Sequence, residues 1–364
     1  MKSGKIIFDK DVKVIGESAF EGLSSLTSIT IPKSVQTIED NAFKNCQNLS
    51  KVEYKGSLDD WRNIIKSTTS FDNVNTNIVE CHDGEIHIIP PYLTFTAQQS
   101  NSTVGLGKLS TYQTLEYSYD KNSWSNMDAS TIITLYNMGD KVYFRGILSG
   151  NNTYSNYTQF KMTGKIAASG NCNTIWNYKN INARLKSYCG FRMFDGCTSL
   201  TTAPELSAIT LTLCCYNSMF DGCTSLTTAP ELPATILAHS CYQNMFGNCT
   251  SLTTAPKLPA TELADGCYYL MFQGCTSLTT APKLPATTLV KQCYYIMFSG
   301  CTKLDSITCL AIHMPSDQYV GPPTGSWTYG VSLTGTFYKH PDATWSTGDD
   351  GIPNGWEVVD VDVS

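Results

Sequence analysis

The sequence predicts a mainly β chain with short helical turns, organised as a solenoid in two stacks that a small β-sandwich interrupts. Three observations carry this reading. Between Cys189 and Gln318 five copies of a 26-residue unit follow one another, each reading roughly C-Y-x-x-M-F-x-G-C-T-S-L-T-T-A-P-x-L-P-A-T-x-L. Residues 5–54 carry a different repeat, with a period of 23. Residues 86–163 lose all periodicity and show short alternating apolar segments. A fixed period of this size marks one supersecondary unit stacked on copies of itself, each copy completing its neighbour's core.

From the N-terminus, Ile15 recurs as Ile38, Ala19-Phe20 as Ala42-Phe43 and Leu26 as Leu49. The segment Leu26-Thr27-Ser28-Ile29-Thr30-Ile31-Pro32 has the spacing of a leucine-rich-repeat strand stopped by proline, with alternate apolar residues inward. Ser57 reads as the N-cap of a short helix, Leu58 to Lys66, whose apolar stripe is Trp61, Ile64 and Ile65. That helix is expected to cover the end of the first stack. Pro90-Pro91 makes a stiff junction. Strands are expected at Tyr92–Ala97, Thr114–Tyr119, Thr131–Leu135, Lys141–Ile147 and Tyr157–Met162, separated by turn-rich pieces, which suits a small Ig-like β-sandwich. The expected division is 1–85, 86–163, 164–318 and 319–364.

Residues 164–188 read as an atypical first repeat, which keeps Cys172 but lacks the Met-Phe and Pro-x-Leu signatures; a terminal unit must face solvent on one side. Over 189–310 one continuous parallel sheet is expected, one short strand per repeat, with the Cys, Met-Phe and Leu columns inside. In the fifth copy Thr-Thr-Ala-Pro gives way to Asp305-Ser306-Ile307-Thr308. Beyond it Phe337, Trp345, Ile352 and Trp356 are expected to fold over the last repeat as a cap.

Composition narrows the function. Net charge is −6, only 15% of residues are charged, and no Lys/Arg run occurs, so neither nucleic acid nor an anionic membrane is indicated as a partner. No apolar run of about 18 residues is present, so no membrane span is expected. Of 15 cysteines, ten stand in two repeat columns, Cys189 to Cys293 and Cys197 to Cys301. Five residues in a column cannot all pair within it, and buried reduced thiols that pack as small apolar groups are favoured over disulfides. No nucleophile elbow, phosphate loop or His-Glu-x-x-His occurs, and Cys81-His82-Asp83 lacks the partner ligands of a metal site. No cofactor is expected, and the chain does not read as an enzyme.

The repeats also separate a fixed frame from variable positions. The residue after each repeat proline changes sign along the array: Glu205, Glu231, Lys257, Lys283. Thr202, Thr228, Thr254 and Thr280 stand just before it. These eight residues are the candidate ligand-binding strip, an acidic half followed by a basic half on the sheet face; a solvated face with charges that serve solubility is the alternative. The tyrosine column Tyr216, Tyr242, Tyr268 and Tyr294 reads as packing rather than recognition.

The N-terminal pattern Ala-Phe-Glu-Gly-Leu-Ser-Ser-Leu-Thr-Ser-Ile-Thr-Ile-Pro at 19–32, with its second copy at 42–54, resembles the BspA-like leucine-rich repeats of bacterial surface proteins. The Met-Phe-x-Gly-Cys-Thr-Ser-Leu-Thr-Thr-Ala-Pro units look like the longer variant of gut anaerobes. The tail at 335–360 is similar to the closing segment of such proteins, with a departure from Ile312-His313-Met314-Pro315 through Pro322-Pro323. The resemblance implies a right-handed solenoid, an extracellular or cell-surface location, and adhesion to a host or bacterial surface protein or glycan. A structural spacer or fibre component, including a phage-tail-type adhesin, is the competing expectation.

Overall fold

The structure is a computed structural model that describes residues 4–8, 11–66, 70–71, 74–76, 78–87, 92–178, 181, 183–312 and 322–362. Among the described residues it is mainly β with two short helices, and the chain divides into two compact units. One comprises Met1–Tyr92, Arg145–Ile147 and Asn173–Arg184; the other comprises Leu93–Phe144, Leu148–Cys172 and Leu185–Ser364. The Pro90-Pro91 junction and residues 313–321 lie outside the described residues.

In the first unit the 23-residue period becomes β-ladder register. Strands β1 (Gly4–Ile7), β2 (Val14–Ile15), β3 (Leu26–Ile31), β4 (Thr37–Ile38) and β5 (Lys51–Tyr54) alternate between two sheets. β1, β3 and β5 pair in parallel, Ile29 against Val52 and Ile31 against Tyr54, one full period apart. β7 (Ile78–Cys81) and β8 (Gly84–His87) extend that sheet, β8 antiparallel. The inward residues Leu26, Ile29, Ile31, Leu49 and Val52 are buried, as alternation predicts. Phe20, Phe43 and Phe71 stack behind them at 5.2 and 4.7 Å between ring centroids.

Helix α1 spans Leu58–Asn63, capped by Ser57. The Ser57 hydroxyl accepts the Asp60 N–H and the Asp60 carboxylate accepts the Ser57 N–H, both at 3.0 Å, a complete capping box. The helix stops three residues short of the expected Lys66, because Ile65–Lys66 becomes β6, which pairs with Thr37–Ile38 and completes the sheet β2-β4-β6. Lys66 therefore takes the place below Ile15 and Ile38, in an apolar column. Its ammonium is buried, lies 4.7 Å from the Trp61 ring centroid, and donates to the Trp61 and Ile64 carbonyls. Burial pulls its pKa down to about 7.

From Leu93 the strands are β9 (Leu93–Ala97), β10 (Ser102–Lys108), β11 (Gln113–Ser118), β12 (Ser125–Asn126), β13 (Ile132–Leu135), β14 (Lys141–Leu148), β15 (Gln159–Thr163) and β16 (Ile166–Ser169), all in the second unit except Arg145–Ile147 of β14. They form a three-stranded sheet, β13-β10-β15, and a larger one, β12-β11-β14-β9-β16. This second sheet does not close on itself. β16 pairs in parallel with β17 (Leu200–Thr202) in the first long repeat, Ile166 against Leu200. Phe160 of β15 stacks on Phe194 at 5.6 Å, and its N–H donates to the Met193 carbonyl. Phe160 to Asn171 is thus the first rung of the long-repeat stack, with Phe160, Ile166 and Asn171 in the places of Phe194, Leu200 and Glu205. The expected first repeat at 164–188 starts earlier than its periodicity showed, and residues 173–177 of it are helix α2 (Asn173–Asn177).

Along the array the expected continuous sheet is replaced by a different ladder. In each C-Y-x-x-M-F-x-G-C segment, alternate N–H groups donate to the next coil. Tyr216 donates to Cys241, Ser218 to Gln243, Phe220 to Met245 and Gly222 to Gly247. The residues between them fold back three positions, as Met219 does to Tyr216 and Cys223 to Phe220. Such a path needs a left-handed residue every four, and Cys214, Ser218 and Gly222 have φ of 50°, 53° and 69°. By contrast the Leu-Thr-Thr segments touch through single bridges only, Thr228 to Thr254 and Thr280 to Ser306. Proline explains the difference. It removes a ladder donor and holds the residue before it in extended geometry, so each strand ends where Ala-Pro begins. Where Ile307-Thr308 replaces Ala-Pro, a four-residue strand returns as β18 (Ser306–Cys309), paired in parallel with β19 (Thr336–Lys339), which pairs with β20 (Glu357–Asp360).

The core columns are as expected, with one exception. The Cys, Met and Phe columns and Leu200, Leu226, Leu252, Leu278 and Leu304 are buried, as are Tyr216, Tyr242, Tyr268 and Tyr294. The Phe rings from Phe194 to Phe298 stack at 5.3 to 5.8 Å. Ala203, Ala229 and Ala255 are only half-buried, because their backbone turns outward ahead of the proline. Beyond Tyr294 and Phe298 the column continues as Trp327, with Trp345 stacked on it at 5.4 Å and Phe337 edge-on.

Candidate recognition surface

Each long repeat exposes the same few residues for a geometric reason. In the second copy Leu226 is buried, Thr227 and Thr228 are exposed, Pro230 is buried, Glu231 is exposed, and Leu232 is buried again. The residue after the proline is held outward between two buried neighbours. All eight residues of the predicted strip, Thr202, Glu205, Thr228, Glu231, Thr254, Lys257, Thr280 and Lys283, are exposed. A main-chain bridge joins Thr228 to Thr254, and another joins Thr280 to Ser306 of the next coil, at the spacing of adjacent strands, about 5 Å. The Thr202 hydroxyl donates to the Ala168 carbonyl at 2.8 Å, and that of Thr253 to Thr227 at 3.3 Å, which fixes part of the threonine surface. Glu205 is anchored through its backbone, its N–H on the Gly170 carbonyl and its carbonyl accepting from Cys172. Among the described residues, none of the four charged side chains of the strip is in an ion pair.

The other candidate groups fold into packing roles. The tyrosine column is buried, its rings 5.8 to 6.0 Å apart, so its faces are closed to a ligand. The hydroxyls of Tyr268 and Tyr294 find no protein partner there. None of the 15 cysteines is in a disulfide, and 14 of them are buried. The second cysteine of each repeat has a bonding role that its spacing did not disclose. Cys223, Cys249, Cys275 and Cys301 each donate Sγ–H to the carbonyl of the Phe one coil back, at 3.0 to 3.1 Å. That carbonyl already accepts a backbone N–H within its own turn, so the thiol occupies its second lone pair. Cys46 does the same to Phe20 in the short-repeat stack. Burial pushes these thiols up, Cys249 and Cys301 to about 12, and a protonated buried thiol is a poor nucleophile.

Cys81, His82 and Asp83 do not converge on a site. Asp83 Oδ1 accepts the Leu58 N–H at the start of α1, and His82 Nδ1 lies 4.0 Å from it. Among the described residues no group of three His, Cys, Asp or Glu could hold a metal ion, and no helix is long and apolar enough to cross a membrane.

Comparison with known proteins agrees with the repeat pattern at the N-terminus. Residues 2–78 match the family model described as "BspA type Leucine rich repeat region (6 copies)". No curated protein matches the chain. Among solved structures, the crystal structure of a leucine-rich repeat protein from Bacteroides ovatus is similar at 13% identity, over 98% of this chain and 81% of that one, with a TM-score of 0.23. The family match is thus to the short-repeat stack, as a BspA-type leucine-rich repeat region.

Proposed function

We propose that the chain is a non-enzymatic recognition or adhesion protein of the bacterial cell surface, which binds a protein or glycan through the exposed strip of its long repeats. One observation carries this reading. Some twenty positions per repeat are held by burial and hydrogen bonding, while the outward residue after each proline changes from Glu to Lys. A fixed frame with variable outward residues lets a solenoid vary specificity without altering its fold. In this reading the strands of 93–169 act as a β-sandwich spacer between two separable repeat stacks, divided as 1–85, 86–163, 164–318 and 319–364.

Affinity from such a strip comes from many modest polar contacts, so single substitutions cost little and reversal of the whole column costs much. The test is an immobilised array of glycans and surface proteins, probed with the native chain and with a fourfold variant, Glu205→Lys, Glu231→Lys, Lys257→Glu and Lys283→Glu. Loss of the array ligand in the folded variant supports the strip. Unchanged affinity moves the site elsewhere.

A further inference from the structure

The order of charges along the strip is unfavourable within one chain. Glu205 and Glu231 stand on successive coils, as do Lys257 and Lys283, so two of the three steps along the strip join like charges. Like charges on adjacent strands destabilise a sheet, whereas an alternating order would make every contact attractive. All four side chains are exposed, and none is in an ion pair among the described residues. The blocked order, two negative and then two positive, is however complementary to itself when reversed.

We propose that the strip pairs with the same strip on a second copy of this chain, in an antiparallel, two-fold arrangement. This rests on the reading of the strip as a recognition surface and names its partner. The two-fold axis lies in the exposed face, at right angles to the stacking direction, midway between Glu231 and Lys257. Rotation about it reverses the order of the coils while each column stays opposite itself. Glu231 then faces the partner's Lys257, and Glu205 faces the partner's Lys283, each contact occurring twice, as an isologous interface requires. Thr228 meets the partner's Thr254, and Thr202 meets the partner's Thr280. The common coil spacing keeps all four ion pairs in register over about 15 Å. Parallel pairing of the two strips would instead put Glu on Glu and Lys on Lys, so the charge order selects a single orientation. The contact is small by the standard of stable dimers and depends on exposed charges, so it weakens as salt screens them.

Sedimentation of the full chain at low ionic strength tests this. The native chain is expected to self-associate as a dimer that dissociates when salt is added. Glu205→Lys with Glu231→Lys makes the strip wholly basic, and Lys257→Glu with Lys283→Glu makes it wholly acidic. Each pair alone should weaken self-association at least tenfold, and mixing the two variants should restore a heterodimer, which also shows that both are folded. The fourfold reversal keeps the self-complementary order and should still dimerise. A native chain that stays monomeric at low salt up to its solubility, or a fourfold variant that is monomeric while the native chain dimerises, overturns the proposal. The same fourfold variant separates this inference from the wider reading, because an external ligand of the strip would lose its contacts there while the self-paired dimer would not.

Discussion

The two repeat stacks use one device in different proportions. Both carry a Phe column, left-handed residues four apart, and a cysteine thiol that donates to a Phe carbonyl one coil back. In the short-repeat stack Asn41 and Asn45 hold the left-handed positions, proline follows the strand, and real parallel strands form. In the long-repeat stack proline lies within what would be the strand and the strand shrinks to single bridges, while the turn segment keeps the ladder that the short stack also has, where Ser18, Phe20 and Gly22 donate to Asp40, Ala42 and Lys44. The turn-side ladder is thus common to both stacks, and the position of proline decides whether a second ladder forms on the strand side. The stacks also end differently. The long repeats are closed by Trp327 and Trp345, while the column of Ile15 and Ile38 ends on the buried ammonium of Lys66.

The largest expected effect tests whether the Phe column of the long repeats is core. Phe246→Ala should cost about 3–5 kcal/mol in denaturant unfolding, as deletion of a fully buried ring does. A loss below about 1 kcal/mol would mean that the turn ladder holds the coil without the ring.

Lys66 probes the short-repeat stack through pH. Its folded pKa of about 7 lies below the ordinary lysine value, so between those values the unfolded chain binds more protons and stability rises with pH. Below the folded value the penalty for a buried charge is full, up to about 5 kcal/mol for a shift of this size. Lys66→Met should therefore stabilise the first stack at pH 6, and the gain should vanish above pH 10. Thermal unfolding of both proteins across that range checks it; a gain independent of pH would mean that the ammonium is not the source.

A smaller effect compares left-handed positions along one column: Arg192, Ser218, Asn244, Leu270 and Ile296. Ile296, at φ 56°, carries the most strain, because a β-branched side chain crowds this conformation. Ile296→Asn should stabilise the array by about 1 kcal/mol. Asn244→Ile, the reverse change two column sites away, should destabilise it by a similar amount or more, because the Asn244 amide also donates to Asp221. Equal and near-zero effects would show that neighbouring coils do not hold these angles.

Much of the architecture was legible in the sequence, and the exceptions have physical causes. Periods of 23 and 26 disclosed both stacks and their inward columns, because burial repeats with the coil. The exposure of all eight strip residues was also legible, since a varying position in a fixed frame faces outward. The ladder's position was not, because hydrogen bonds between turns leave no apolar alternation. Phe160 as the first rung escaped notice because its coil is formed by strands with another spacing. Trp327 escaped for a different reason: it stands where the repeats have Met, and only the alignment of Gly330 with Gly300 marks the coil. Lys66 reads as helical in the sequence because the two isoleucines before it, Ile64 and Ile65, fit a helical stripe as well as a third β rung.

Residue-resolved hydrogen exchange on the native chain tests most directly the claim that the long repeats are held together on their turn side. The slowest amides of a central coil should be Tyr242, Asn244, Phe246 and Asn248, which donate to the next coil, while Thr254 and Lys257 on the strip side should exchange orders of magnitude faster. Equal protection on both sides would contradict the account, and slower exchange at the strip would reverse it.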